Sequence, residues 1–202
     1  MAVDRLGARF ESLLWNSVET QRARFKAITD VIDLTDRTIL DAGCGRADFA
    51  LWLREQGVAW RRYIGVDAIP EMVEHARSLS LPAAEFHQVD FIRDDTAFTC
   101  AGICPDVVIF SGSLNTIPRR QTARALERAW RDSTRALVFN FLSAGAARRL
   151  PEAPAGSAQK LPPAGVMRWA LAHTPDVTLK HDYLDGRDGT VVMYKPGARM
   201  LP

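Results

Sequence analysis

A chain of 202 residues, 47% apolar and 25% charged, has ordinary globular composition and enough material for one sizeable α/β core. A formal net charge of +2 is too small to argue for a nucleic-acid partner, and the double-arginine pairs Arg61-Arg62, Arg119-Arg120 and Arg148-Arg149 are scattered and lack interleaved aromatics. No run of about 18 apolar residues is present to cross a membrane, the N-terminus lacks the basic-then-apolar order of a secretory signal, and an odd set of cysteines (Cys44, Cys100, Cys104) without metal-ligand spacing points to a reducing cytoplasm and no metal site.

From Arg5 to Leu34, apolar residues recur every three or four positions, which predicts an amphipathic helix or two with a polar break around Ser17 to Arg24. Strands and helices then alternate. "TILDAG" reads as a strand and "DFALWLREQG" as a helix stopped by Gly57; "RYIGVDA" and "PEMVEHARSL" repeat the pair, with Pro70 in the helix's first turn. "AEFHQVDF" and "PDVVIFSGS" are strands, the second a near-continuous apolar run expected of a strand buried on both faces. "RRQTARALERAWRDS" is a helix and "RALVFNFLS" a fifth strand. Residues 143–165 are rich in Ala, Pro and Gly and read as a loop or lid. A helix from about Pro163 to His173, a strand "VTLKHDYL", a turn "DGRDG" and a strand "TVVMYK" complete the chain as an antiparallel hairpin. The expectation is one α/β domain over residues 1–202, with residues 1–34 as a helical cap. Its core is a doubly wound, mostly parallel seven-stranded sheet with helices on both faces and a C-terminal antiparallel β-hairpin.

Ligands of such sheets bind beyond the carboxyl ends of the strands. Three successive strands end there in an acid: Asp41, Asp67 and Asp90. One aspartate can be a turn or a cap, whereas three facing one crevice ask for a cationic or hydroxyl-rich ligand. Gly43 and Gly45 let a ligand approach the backbone, and the following helix N-terminus offers amides to a carboxylate. Asp41 would repel a pyrophosphate and attract an ammonium, so the pair suits the head of an amino acid. Asp67 is placed to accept from ribose hydroxyls, and Asp90 from an adenine amine, with Ile69 and Phe91 as apolar walls. Amino acid, ribose and adenine together describe S-adenosyl-L-methionine (SAM).

The stretches "LDAGCGRADF", "YIGVDAIPEMVEHAR", "HQVDF" and "PDVVIFSGSLNTI", with the strand "ALVFNFLS", resemble the successive motifs of class I SAM-dependent methyltransferases. The closing hairpin is similar to that of a bacterial branch of small, single-domain members. The resemblance implies Asp41, Gly43, Cys44 and Gly45 at the methionine end, Asp67 at the ribose, Ala68 and Ile69 at the adenine edge, Asp90 and Phe91 at the ring, and Ser111 beside the sulfonium. It departs at Ala47, where the family most often has a third glycine; a negative φ inside the helix's first turn would accommodate the methyl group.

It further implies transfer of a methyl group to a small-molecule acceptor by in-line displacement, with S-adenosyl-L-homocysteine (SAH) as product, in a monomer or homodimer that binds neither nucleic acid nor membrane. Asn115, His181 and Tyr183 are the candidates for handling the acceptor. Trp15 and Trp169 are candidate pocket walls, and His75 and His87 read as surface or packing residues. "SGSLNT" lacks the Asn/Asp-Pro-Pro-aromatic pattern of enzymes that methylate amide or base nitrogens. Two other readings compete. One is a nicotinamide-binding oxidoreductase, disfavoured because Asp48 replaces the third dinucleotide glycine. The other is a SAM-binding protein of the same fold that is regulatory or catalyses another reaction.

Overall fold

The structure, a computed structural model, describes residues 17–145 and 158–199. Eight strands form one mixed sheet: β1 (Thr38–Ala42), β2 (Arg62–Asp67), β3 (Ala84–Gln88), β4 (Val107–Phe110), β5 (Ala136–Ser143), β6 (Lys160–Leu161), β7 (Val177–Lys180) and β8 (Asp188–Tyr194). Their order is β3-β2-β1-β4-β5-β8-β7, with the two-residue β6 also pairing β5. The first five strands pair in parallel, while β8 runs antiparallel to both β5 and β7. All seven expected strands are therefore present, and the eighth, β6, comes from the segment read as a lid.

Alternation along the strands makes two apolar faces. Ile39, Tyr63, Ile109, Val138 and Val192 pack beneath helices α1 (Val18–Thr29), α2 (Asp48–Glu55) and α3 (Pro70–Ser78). Leu40, Ile64, Phe110, Phe139 and Val191 pack against α4 (Arg119–Asp132) and α5 (Pro163–His173). The central strands β1 and β4 are buried along their whole length, as helices on both faces require.

Two local expectations are corrected. The polar stretch before Arg24 is no break: Ser17 caps α1 through a reciprocal capping box with Thr20, and Gln21 and Arg24 lie buried inside the helix. In the hairpin, β7 stops at Lys180 and β8 starts at Asp188, so His181 and Tyr183 sit on the connecting loop rather than on a strand. That loop closes through a 3-10 turn, Leu184–Gly186, in which Leu184 and Asp185 take φ of 49° and 56°. The expected helix before Ser17, with Trp15, and most of the lid lie outside the described residues.

Candidate functional site

β1 runs into a tight loop, residues 43–47, before α2 begins. Gly43 takes φ +78°, and a Cβ there would stand 2.4 Å from the Cβ of Ser113, so only glycine fits. The loop is tied to β2: the amides of Gly43 and Cys44 both donate to the Val66 carbonyl (2.8 and 3.0 Å), and that of Gly45 donates to Asp67 Oδ2 (2.9 Å). Ala47 is not in the helix's first turn with negative φ. It is the N-cap of α2 at φ 63°, left-handed and fully buried, so an L-residue occupies a conformation that glycine would take more cheaply.

A cleft opens between this loop and α1, lined by Gln21, Phe25, Asp41, Asp48 and Ser111 besides the loop residues. Among the described residues no basic side chain lines it, while Asp41 and Asp48 do, which favours a cation. Asp41 is 1% exposed. Its Oδ2 accepts from the Tyr63 hydroxyl at 2.6 Å, while Oδ1 has no partner among the described residues. Burial pushes its carboxyl up to about 7 against the opposing Tyr63 bond, with the charges of Asp67 and Asp48 adding to the rise. Ser111, 8% exposed, also has a buried hydroxyl without a partner among the described residues. Burial, with Asp41 and Asp67 adding to it, holds the Cys44 thiol well above its usual range, so it is protonated and inert as a nucleophile.

The other two strand-end acids are more committed to their own loops. Asp67 bridges the loops after β1 and β2, since its Oδ1 accepts from Ile69 N at 2.9 Å, and burial raises its pKa. Asp90 accepts from Ile92 N at 2.9 Å and lies 3.5 Å from Arg93. Ala68 is exposed and Ile69 half-buried, which leaves that edge open. The Phe91 ring is committed to the core, its centroid 5.4 Å from that of Phe110.

The acceptor candidates separate. Tyr183 reaches the cleft face of β5 and β8: its hydroxyl bonds Thr190 Oγ1 at 2.7 Å and lies 3.4 Å from Asn140 Nδ2. Burial raises its pKa further, so it does not serve as a base near neutrality. His181 bonds the hydroxyl of Ser143, three residues beyond Asn140 and hence on the opposite face of β5. Asn115 lies in the turn after β4, where its carbonyl accepts from Gln159 N at 2.7 Å. Trp169 faces α4, donating to Glu127 at 2.8 Å, away from the cleft. His75 meets Arg46 and His87 meets Glu85, as packing and surface residues do.

Sequence reasoning missed Tyr63, Asn140 and Thr190, which read as ordinary strand residues, and Gln21, which donates to Asp48 at 3.1 Å. The only available signal was polarity at strand and helix positions whose neighbours are apolar.

Residues 39–132 match a family model described as a methyltransferase domain. No curated protein matches the sequence. Solved structures share the fold at low identity. The SAM-bound magnesium protoporphyrin IX methyltransferase of Synechocystis PCC 6803 is 16% identical (88% of this chain, 78% of that chain, TM-score 0.62). The DhpI–SAH complex is 16% identical (98% and 92%, TM-score 0.64). The CcbJ methyltransferase of Streptomyces caelestis is 15% identical (87% and 89%, TM-score 0.63). The matched span holds the glycine loop, Asp41, Asp67, Asp90 and Ser111.

Proposed function

We propose that this chain is a methyltransferase that uses SAM as methyl donor and a small molecule as acceptor, with the donor's amino-acid head in the cleft beside Asp41. The observation that carries this reading is the buried Oδ1 of Asp41, which has no partner among the described residues, in a cleft where those residues place no basic side chain. A buried acceptor left without a donor costs about 1–3 kcal/mol, and an ammonium would supply both the proton and the charge. Structures of the same fold carry SAM or SAH.

In this reading Gly43, Cys44 and Gly45 face the methionine end, and Asp67 takes the ribose with oxygens already oriented by two backbone amides. Ala68, Ile69 and Asp90 border the adenine, with Phe91 supporting that edge from within the core. SAM would supply an electrophilic methyl group on a sulfonium. The protein's work is to hold donor and acceptor in line and to exclude water. Asp41 and Asp48 favour the cationic donor, while Ser111 sits at the end of β4, where acceptor and donor would meet. Asn115 and Tyr183 border the acceptor side, Tyr183 as a hydrogen-bonding group; His181 acts there only through the loop that carries Tyr183.

Calorimetric titration with SAM, SAH and NADH tests the reading. Binding of SAM and SAH without NADH is expected, and the reverse pattern would overturn it. Asp67→Asn, which keeps the shape but removes one carboxylate acceptor, is expected to weaken SAM at least about tenfold. Unchanged affinity would remove Asp67 from the ribose.

A further inference from the structure

On the cleft face of the sheet, the row of polar groups continues past Ser111. β4 and β5 pair Phe110 with Phe139, so the next residues, Ser111 and Asn140, stand side by side. Asn140 shares its face with Val138, beneath α1, which packs on both β5 and β8. It is 0% exposed. Its Nδ2 donates to Thr190 Oγ1 at 2.6 Å and approaches the Tyr183 hydroxyl, which fixes the amide plane and leaves Oδ1 with no partner among the described residues. Three neighbouring strands thus carry buried oxygens that lack partners among the described residues: Asp41 Oδ1 on β1, Ser111 Oγ after β4 and Asn140 Oδ1 on β5. Native interiors leave few such groups, and each asks for a ligand or water.

If Asp41 takes the donor's ammonium, as the methyl-transfer reading has it, the remaining pair faces the acceptor. A serine hydroxyl donates or accepts, whereas an amide oxygen only accepts. We propose that Asn140 Oδ1 and Ser111 Oγ form the acceptor subsite, and that the acceptor is a small molecule presenting a neutral hydroxyl or amine to Asn140. A carboxylate or phosphate would set oxygen against oxygen there. Holding the O–H or N–H on Asn140 leaves a lone pair of the same atom free for the methyl carbon. The new C–O or C–N bond forms as the C–S pair returns to sulfur, and the acceptor's proton leaves to water, since an amide cannot hold it.

The test uses the SAH-saturated full chain, with the side-chain amide signals of Asn140 followed by NMR. Isopropanol and acetone serve as probes, being matched in size while only isopropanol donates. Isopropanol is expected to saturate the Asn140 shift at a concentration at least threefold lower than acetone. Asn140→Leu, near in volume, is expected to abolish that preference as read on neighbouring signals, and Asn140→Asp to retain it. If the Leu variant does not fold, Ser111→Ala is expected to reduce the preference at least twofold. Equal titration of the two probes, or a preference that survives the Leu or Ala substitution, overturns the proposal. Calorimetry with SAH on the same samples separates the two ideas. Failure to bind SAH overturns the methyl-transfer reading and this proposal with it, while SAH binding without a donor preference overturns the Asn140 assignment alone.

Discussion

Ala47 holds the sharpest backbone conflict in the site. Its left-handed φ of 63° costs an L-residue about 1–2 kcal/mol relative to a right-handed one. Its buried methyl group returns about 0.8 kcal/mol of that. Ala47→Gly is therefore expected to leave stability unchanged or raise it by up to about 1 kcal/mol, read from urea unfolding with the slope unaltered. A loss beyond about 1 kcal/mol would show that the methyl's packing outweighs the strain. Gly43 is the opposite case: an added Cβ would meet Ser113 at 2.4 Å and also stand at positive φ. Gly43→Ala is expected to cost about 2 kcal/mol or more in the same experiment. The spacing of the glycines was legible in the sequence; the conformation at Ala47 was not, because it depends on which residue begins the helix, and helix boundaries are the least sequence-determined feature.

At the scale of elements, long apolar patterns were read correctly. β4 was expected to be buried on both faces and is, and α5 spans Pro163–His173 as its periodicity indicated. Helix α1 was misjudged because its buried polar residues draw their partners from remote chain: Gln21 from Asp48 and Arg24 from Asp188 at the start of β8. The same holds for the site, where the glycine loop and strand-end acids follow local patterns, but Asn140 and Thr190 meet across an antiparallel pairing. Arg24 and Asp188 are 7% and 2% exposed at the side chain, so the pair pins α1 to β8 in a dry interior. Asp188→Ala alone is expected to cost about 3–5 kcal/mol, because it takes a carboxylate away from a buried guanidinium. Combining Arg24→Met with Asp188→Leu is expected to recover a substantial part, as apolar isosteres of both partners remove the cost of burying their charges. Denaturant midpoints decide this, and a double variant no better than the single would mean that α1 depends on the pair itself.

At the scale of the whole molecule, Asp41 couples folding, pH and ligand. Its carboxyl titrates at about 7 in the folded protein, against roughly 3.9 when unfolded. Between these values the folded state holds a proton that the unfolded chain has released, so this group makes stability fall as pH rises from about 4 to about 7 and level off above. That is the reverse of a salt-bridged carboxylate, because burial and neighbouring acids destabilise the charge. A cationic ligand reverses the preference. With an ammonium against Oδ1 the carboxylate form is favoured, so SAM affinity should rise as pH goes from about 5 to about 7, and ligand stabilisation should grow over the window in which the free protein weakens. Thermal unfolding with and without saturating SAM, at pH 5, 6 and 7, measures both slopes on one sample. Asp41→Asn is expected to flatten Asp41's contribution to each, and to weaken SAM more than about tenfold at pH 7. A wild-type SAM affinity that does not change over this range would place the ammonium elsewhere and leave the buried Oδ1 to another donor.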